Sequence, residues 1–156
     1  MFLTADQLLA HIVGDYVLQS DWMAGEKTKK SIAALAHVVT YTVPFLFLTQ
    51  SPAALAVILV SHFVIDRWRL ARYVCWIKNF LQPKFPWTRT CSCGPEEKCG
   101  PSCGQPVTSL VRNFPWSECI GTGYHKDRPP WMAVWLMIIC DNAMHVICNA
   151  SALRYL

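Results

Sequence analysis

Charge is scarce in this chain. Only 15% of its 156 residues are Asp, Glu, Lys or Arg, against 53% apolar residues, too little to cover a domain of this size with an ordinary water-facing surface. No RNA- or DNA-binding motif is present. The formal charge of +4 is gathered in short clusters, which read as membrane-topology signals before they read as a nucleic-acid surface. There is no internal repeat and no low-complexity tract. The opening MFLTADQLLAHIVGDYVLQSD lacks the basic start and small-residue cleavage site of a signal peptide, and His11 and Asp15 interrupt its apolar run, so it is expected to stay on the mature protein.

What the chain does have is apolar helix. The expected fold is all-α, a single membrane domain over residues 1–156 with about four helices at 3–18, 32–48, 53–81 and 131–153. The first is marginal for a hydrocarbon core that needs about 20 helical residues, with Thr4 as its N-cap. The second carries Pro44 and ends at the turn-like TQSP. The third runs without a breaker from Ala53 to Ile65 into the basic amphipathic stretch Asp66 to Leu81, so one long helix is expected to leave the membrane near Arg67. Pro129 and Pro130 open the fourth, in the helix-start position that proline tolerates. Seven Trp and five Tyr suit the belts where hydrocarbon meets headgroups.

Lys27, Lys29 and Lys30 follow the first helix, and Arg67, Arg69, Arg72 and Lys78 follow the third. The positive-inside rule puts both clusters on the cytoplasmic side. Both chain ends and the turn at Gln50 then lie outside, and the segment 82–130 lies inside. The expected location is the bacterial inner membrane. The expected partners are membrane lipids, with a second copy or another membrane protein as a further contact.

Polar residues interrupt the apolar runs in a pattern. His11 and Asp15, His62 and Asp66, and Asp141 and His145 each stand four residues apart, and His37 lies in the second helix. Four-residue spacing puts both side chains of a pair on one helix face, one turn apart. Ionisable groups inside a bilayer cost a few kcal/mol each on insertion scales, so they face a bundle interior and carry function. For any one pair the alternative is a His–Asp hydrogen bond that pins two helices. Taken together, the seven residues form a candidate site for one or two divalent ions near the cytoplasmic half of the membrane.

Imidazole and carboxylate ligands suit zinc first, with manganese or iron as alternatives, and a shell with open positions lowers the pKa of bound water towards neutrality. The chemistry expected is hydrolysis of a phosphoester or other lipid-linked bond. A metal-held hydroxide attacks, Arg67 or a second ion stabilises the developing charge, and one of Asp15, Asp66 and Asp141 is left as a base. Arg67 and Arg69 suit a phosphate through planar bidentate hydrogen bonds, although topology alone also explains them. Two other readings stay open: a proton or metal-ion transporter or channel component using the same groups, and a non-catalytic structural or partner-binding membrane protein.

The segments LLAHIVGDYVLQSDWMA, AHVVTYTVPF, SHFVIDRWRLARY and GTGYHKDRPPWMAVWLMIICDNAMH, in that order, resemble the small bacterial and phage membrane proteins of domain-of-unknown-function family 3307. The resemblance implies no established activity. It does imply repeated His and Asp positions at His11, Asp15, His37, His62, Asp66, Asp141 and His145. More loosely, the pattern is similar to membrane-bound metal-dependent hydrolases, as an analogy only.

The segment 82–130 reads as a loop or small lobe. Cys91, Cys93, Cys99 and Cys103 form a CxCx5CxxxC cluster compact enough for a second, structural zinc, and a cytoplasmic loop favours metal over disulfide. Unpaired or redox-active thiols are the alternative. Cys75, Cys119, Cys140 and Cys148 read as small apolar fillers or loop residues. His125, Lys126 and Arg128, just before the last helix, are candidates for an anionic headgroup, against a plain re-entry turn.

Overall fold

A computed structural model describes residues 3–81, 114–126 and 128–156. The described elements are helical apart from one isolated antiparallel bridge between Cys119 and His125, as the apolar periodicity requires. Helix α1 (Ala5–Ile12) starts at a capping box: the Gln7 N–H donates to Thr4 Oγ1, and the Thr4 N–H donates to Gln7 Oε1. Two otherwise unsatisfied N–H groups are thereby covered at once. The chain then widens into a π turn (Val13–Val17), closed by Leu18 N–H to Val13 O at 3.0 Å.

Gly14 is what permits that turn to sit where it does. A Cβ there would lie 2.6 Å from Tyr41 Cδ2 and 3.0 Å from the Tyr41 carbonyl oxygen, so the π turn meets the next long helix backbone to ring. The connection expected after the first helix holds a short helix of its own, α2 (Asp21–Glu26), capped by Ser20. Helix α3 (Ser31–Thr42) tightens at Pro44 into a 3-10 segment, Val43–Phe47. Helix α4 (Pro52–Trp68) has Ser51 as N-cap and Pro52 in its first turn.

The single helix expected over 53–81 is two. Arg69 adopts the left-handed conformation, φ 50° and ψ 53°, and α5 (Ala71–Phe80) sets off after it. The break is a Schellman closure, with Leu70 N–H on Ile65 O at 3.0 Å and Arg69 N–H on Asp66 O at 3.2 Å. Glycine is the usual residue there, and its absence hides the stop from a reader of the sequence. A 3-10 turn (Trp116–Glu118) and the residues up to Tyr124 pack on α5. Tyr73 stacks on Trp116 at 4.9 Å, and Gly123, with φ 77°, lies against the Arg72 carbonyl. Helix α6 (Pro130–Tyr155) is the longest element.

Helix α4 is the centre of the molecule, packed on α6 and α3, while α5 lies against α6. Tyr41, Phe45, Ala54, Ile58 and Ala152 make an apolar core at one end, and Cys75, Tyr124 and Ala133 a second beside α5. Burial pushes the Cys75 thiol up, with neighbouring Cys140 adding to it, to about 11, the state of an inert filler thiol. The two basic clusters share one end, because Arg67 Nη1 donates to the Thr28 carbonyl oxygen at 2.8 Å. The opposite end joins the turn at Gln50 to the chain's close, with Ser51 Oγ donating to Leu156 O at 2.9 Å. One described helix, α6, is long and apolar enough to cross a membrane; Ser31–Phe47 is apolar but shorter.

Candidate metal centre

Between the two apolar cores lies a polar one. Four of the chain's five histidines meet there, and His11, His37, His62 and His145 are all buried. Helix α3 presents His37, α4 presents His62 and Asp66 one turn apart, the π turn presents Asp15, and α6 presents Asp141 and His145. The four-residue spacing works as helical geometry requires. For Asp15 the π turn supplies the last adjustment, carrying its carboxylate to the histidines of α3 and α4.

Four atoms form the tightest group. His37 Nε2 and His62 Nε2 stand 3.0 Å apart. Asp15 Oδ1 is 3.2 Å from the first and 3.3 Å from the second, and Asp66 Oδ2 is 3.2 Å and 3.1 Å from the same two nitrogens. Around a tetrahedral ion with bonds of about 2.0–2.1 Å, neighbouring ligand atoms stand about 3.3 Å apart. Asp15 Oδ1 is buried with no hydrogen bond of good geometry, which a buried carboxylate oxygen rarely tolerates, whereas Asp66 Oδ2 also meets the Lys27 ammonium. The donor set therefore fits a divalent ion on type and on the spacing of its triads, and Asp15 Oδ1 has bonding capacity to spare.

A second, looser group lies alongside. His145 Nε2 is 3.4 Å from Asp66 Oδ1 and 3.4 Å from Asp141 Oδ2, so the two oxygens of Asp66 face the two groups. His62, Asp66 and His145 can share an ion just as Asp15, His37 and His62 can. The rings are held by stacking: Tyr41 lies 3.6 Å from His62, and His145 lies 3.9 Å from the same ring on centroids.

His11 has another place. Its Nδ1 is 2.9 Å from the Tyr41 hydroxyl and its Nε2 is 2.8 Å from Asn142 Oδ1, so both ring nitrogens are engaged. It stands behind Asp15, with Nδ1 3.5 Å from Oδ2, where an outer partner orients a ligand. The Tyr41 hydroxyl also accepts from Asn149 Nδ2 at 2.6 Å.

Beside the cluster opens a cavity of about 440 Å³, lined by Asp15, Asp66 and Asp141 together with Lys27 and Arg69. Lys27 Nζ pairs with Asp66 Oδ2 at 2.8 Å and donates to Gln19 Oε1 at 2.9 Å. Arg69 lines this space and Arg67 does not: Arg67 is spent on Thr28 O and Ser31 Oγ, which tie the α2–α3 turn to α4. His125 lies in the lobe on α5, 3.2 Å from Glu118. Lys126 is exposed, and the Arg128 guanidinium sits over the Tyr124 ring. None of these three lines the cavity. Cys91, Cys93, Cys99 and Cys103 lie outside the described residues.

Tyr41, Asn142, Asn149, Lys27 and Gln19 belong to the site and did not stand out in the sequence. Two carried a usable signal, because Tyr41 follows His37 by four residues and Asn149 follows His145 by four. Lys27 carried none, since a lysine after an apolar helix reads as topology.

Comparison with known proteins bears on the first half of this arrangement. No curated protein and no solved structure matches the chain. The family model described as "Protein of unknown function (DUF3307)" matches residues 3–85, which contain Asp15, His37, His62 and Asp66 but not the donors of α6. With more than half of its length matched, the chain belongs to the DUF3307 family.

Proposed function

We propose that the protein is a membrane-embedded, divalent-metal-dependent hydrolase acting on a phosphoester or other lipid-linked substrate near the cytoplasmic leaflet. The observation that carries this reading is the pair of buried donor triads, Asp15, His37 and His62 on one side and His62, Asp66 and His145 on the other, with a cavity at their side. Zinc, before manganese or iron, would be held with a position left open by the triad His62, Asp66 and His145, and would there polarise a substrate oxygen and lower the pKa of water towards neutrality. The chain's own groups supply the rest. Asp141 is the most exposed of the three carboxylates, faces the cavity and is steadied by His145, the position for a proton acceptor. His11, Tyr41 and Asn142 orient Asp15 and the imidazoles.

The membrane setting is supported by the outer surface. Large apolar side chains face outward along α1, α3, α4 and α6, including Leu9, Ile32, Val60 and Ile139, and Phe47 is 87% exposed. Surface of this kind is costly in water and ordinary in lipid. Trp22, Trp68, Trp131 and Trp135 are exposed as interfacial anchors would be. The shared end of the two lysine and arginine clusters suits the cytoplasmic face of a bacterial inner membrane, with lipids as neighbours.

A second reading, passage of protons or metal ions, has one observation of its own. A chain of hydrogen bonds runs from the exposed Tyr16 through Asn142, His11 and Tyr41 to Asn149. Flux in liposomes without a hydrolysis product favours that reading.

Elemental analysis by mass spectrometry on detergent-purified protein tests the main one. Wild type should hold one or two ions per chain, and a His62→Ala, Asp66→Ala double variant should lose them. A variant lacking the four loop cysteines reports separately on a structural zinc. A well-folded wild type that takes up neither zinc nor manganese overturns the hydrolase reading.

A further inference from the structure

The arginines near the α4–α5 break differ in what they touch. Arg67 reaches two oxygens, and Arg72 Nη2 donates to the Tyr73 hydroxyl at 2.7 Å. Arg69 has five N–H donors to place, yet among the described residues its one hydrogen bond goes to Met137 Sδ at 3.6 Å, a weak acceptor. It stands in the left-handed region, the sole non-glycine residue there among those described, and it lines the cavity beside the carboxylates. The left-handed backbone is the helix stop itself, but packing does not account for a guanidinium at a cavity wall with no oxygen partner among the described residues.

Lys27 is the other cation on this wall. Its ammonium rests on Asp66 Oδ2 and lies 3.4 Å from His37 Nε2, against two of the candidate ligand atoms. An ammonium and a divalent ion on one carboxylate oxygen repel, so an ion held by these atoms would displace Lys27 from Asp66 and free its ammonium at the cavity it lines with Arg69. One divalent ion would offset two of the three cavity carboxylates, and a second would leave the set net positive. Asp15, Asp66 and Asp141 repel an anion on their own and accept one once ions neutralise them.

We infer that Arg69, joined by Lys27, forms a subsite for the phosphate oxyanion of a phosphate ester, open only when the neighbouring metal centre is loaded. The planar guanidinium fork matches two phosphate oxygens, and the ammonium adds a point charge. A cavity of about 440 Å³ leaves space for more of the substrate beyond the phosphate. This subsite rests on the metal reading above, and a phosphorylated lipid headgroup or a water-soluble phosphate ester offers it the same chemistry.

Equilibrium dialysis of radiolabelled inorganic phosphate against the detergent-purified full chain, with metal content measured on the same samples, tests the inference. Zinc-loaded wild type should bind phosphate and metal-stripped wild type should not. Arg69→Gln should weaken phosphate binding about tenfold or more, as loss of a charge-assisted pair does, while keeping its zinc. Lys29→Gln removes the same charge from an exposed side chain paired with Glu26 and should change neither value. In nanodiscs of phosphatidylcholine with or without phosphatidic acid, competition by phosphatidic acid assigns the site to a lipid headgroup, and its absence assigns it to a soluble ester. Equal phosphate binding by zinc-loaded wild type and Arg69→Gln, or binding without metal, overturns the subsite and leaves the metal centre standing. Wild type that holds no zinc overturns both.

Discussion

The two halves of the buried polar cluster are built to different tightness. Asp15, His37, His62 and Asp66 come from the π turn, α3 and α4, all within the family-matched residues 3–85, and the two imidazole nitrogens stand 3.0 Å from each other and 3.1–3.3 Å from each carboxylate. Asp141 and His145 come from α6, beyond that match, and stand 3.4 Å from each other, with His145 the same distance from Asp66 Oδ1. The Asp141 side chain is 28% exposed, against 3% for Asp66. The first half resembles a closed ligand set, the second an open one with room for a reacting molecule, the distinction that separates structural from catalytic metal sites.

The sharpest way to break that comparison is to remove one ligand from each half. His62 contributes to both possible triads, so His62→Ala should lower zinc affinity on the order of a hundredfold or more, beyond the roughly 10–100-fold that loss of an outer partner costs. His145→Ala should lower it about tenfold and leave one ion bound. Competition with a chromogenic chelator reads both. If His145→Ala costs as much as His62→Ala, the two halves are a single site and the closed-versus-open distinction fails.

How much of this was legible depended on how local the feature was. The pairs His11/Asp15, His62/Asp66 and Asp141/His145 were readable because four-residue spacing is a property of one helix. The Thr4 cap was readable for the same reason. The loss of His11 from the ligand set was not readable, because it depends on Tyr41 and Asn142, 30 and 131 residues away. Nor was the break at Arg69, where the hydrogen bonds of a glycine stop are made by an arginine. Residues two apart point to opposite sides of a helix, so the spacing parts Arg67 from Arg69, but which of the two lines the cavity depends on how α4 packs.

A smaller effect tests how the closed half is supported from outside. Tyr41 packs on His62 and takes hydrogen bonds at its hydroxyl, and Gly14 lies directly on its ring. Gly14→Ala drives a methyl group to 2.6 Å from Tyr41 Cδ2, so either the ring or the π turn must shift. Overpacking of this kind costs about 1–3 kcal/mol. The shift also moves Asp15, the next residue, so zinc affinity should fall together with thermal stability. Tyr41→Phe leaves Asn149 Nδ2 and His11 Nδ1 without their buried partner and should cost about 1–3 kcal/mol, with the ring still against His62 and zinc affinity less affected than in Gly14→Ala.

The smallest expected effect belongs to Arg67. Its hydrogen bonds to Thr28 O and Ser31 Oγ run between the α2–α3 turn and the end of α4, and both are near solvent, where such bonds contribute about 0.5–1.5 kcal/mol. Arg67→Gln should therefore lower stability by about 1 kcal/mol at most, read as a small drop in the unfolding midpoint in detergent, with zinc content unchanged. That result places Arg67 as a staple at the basic end of the molecule and leaves charge stabilisation at the cavity to its neighbour two residues on. A loss of zinc in Arg67→Gln would instead mean that the α2–α3 turn, through Lys27 and its contacts with Asp66 and His37, holds the closed half together, and that the two halves differ less in their support than in their spacing.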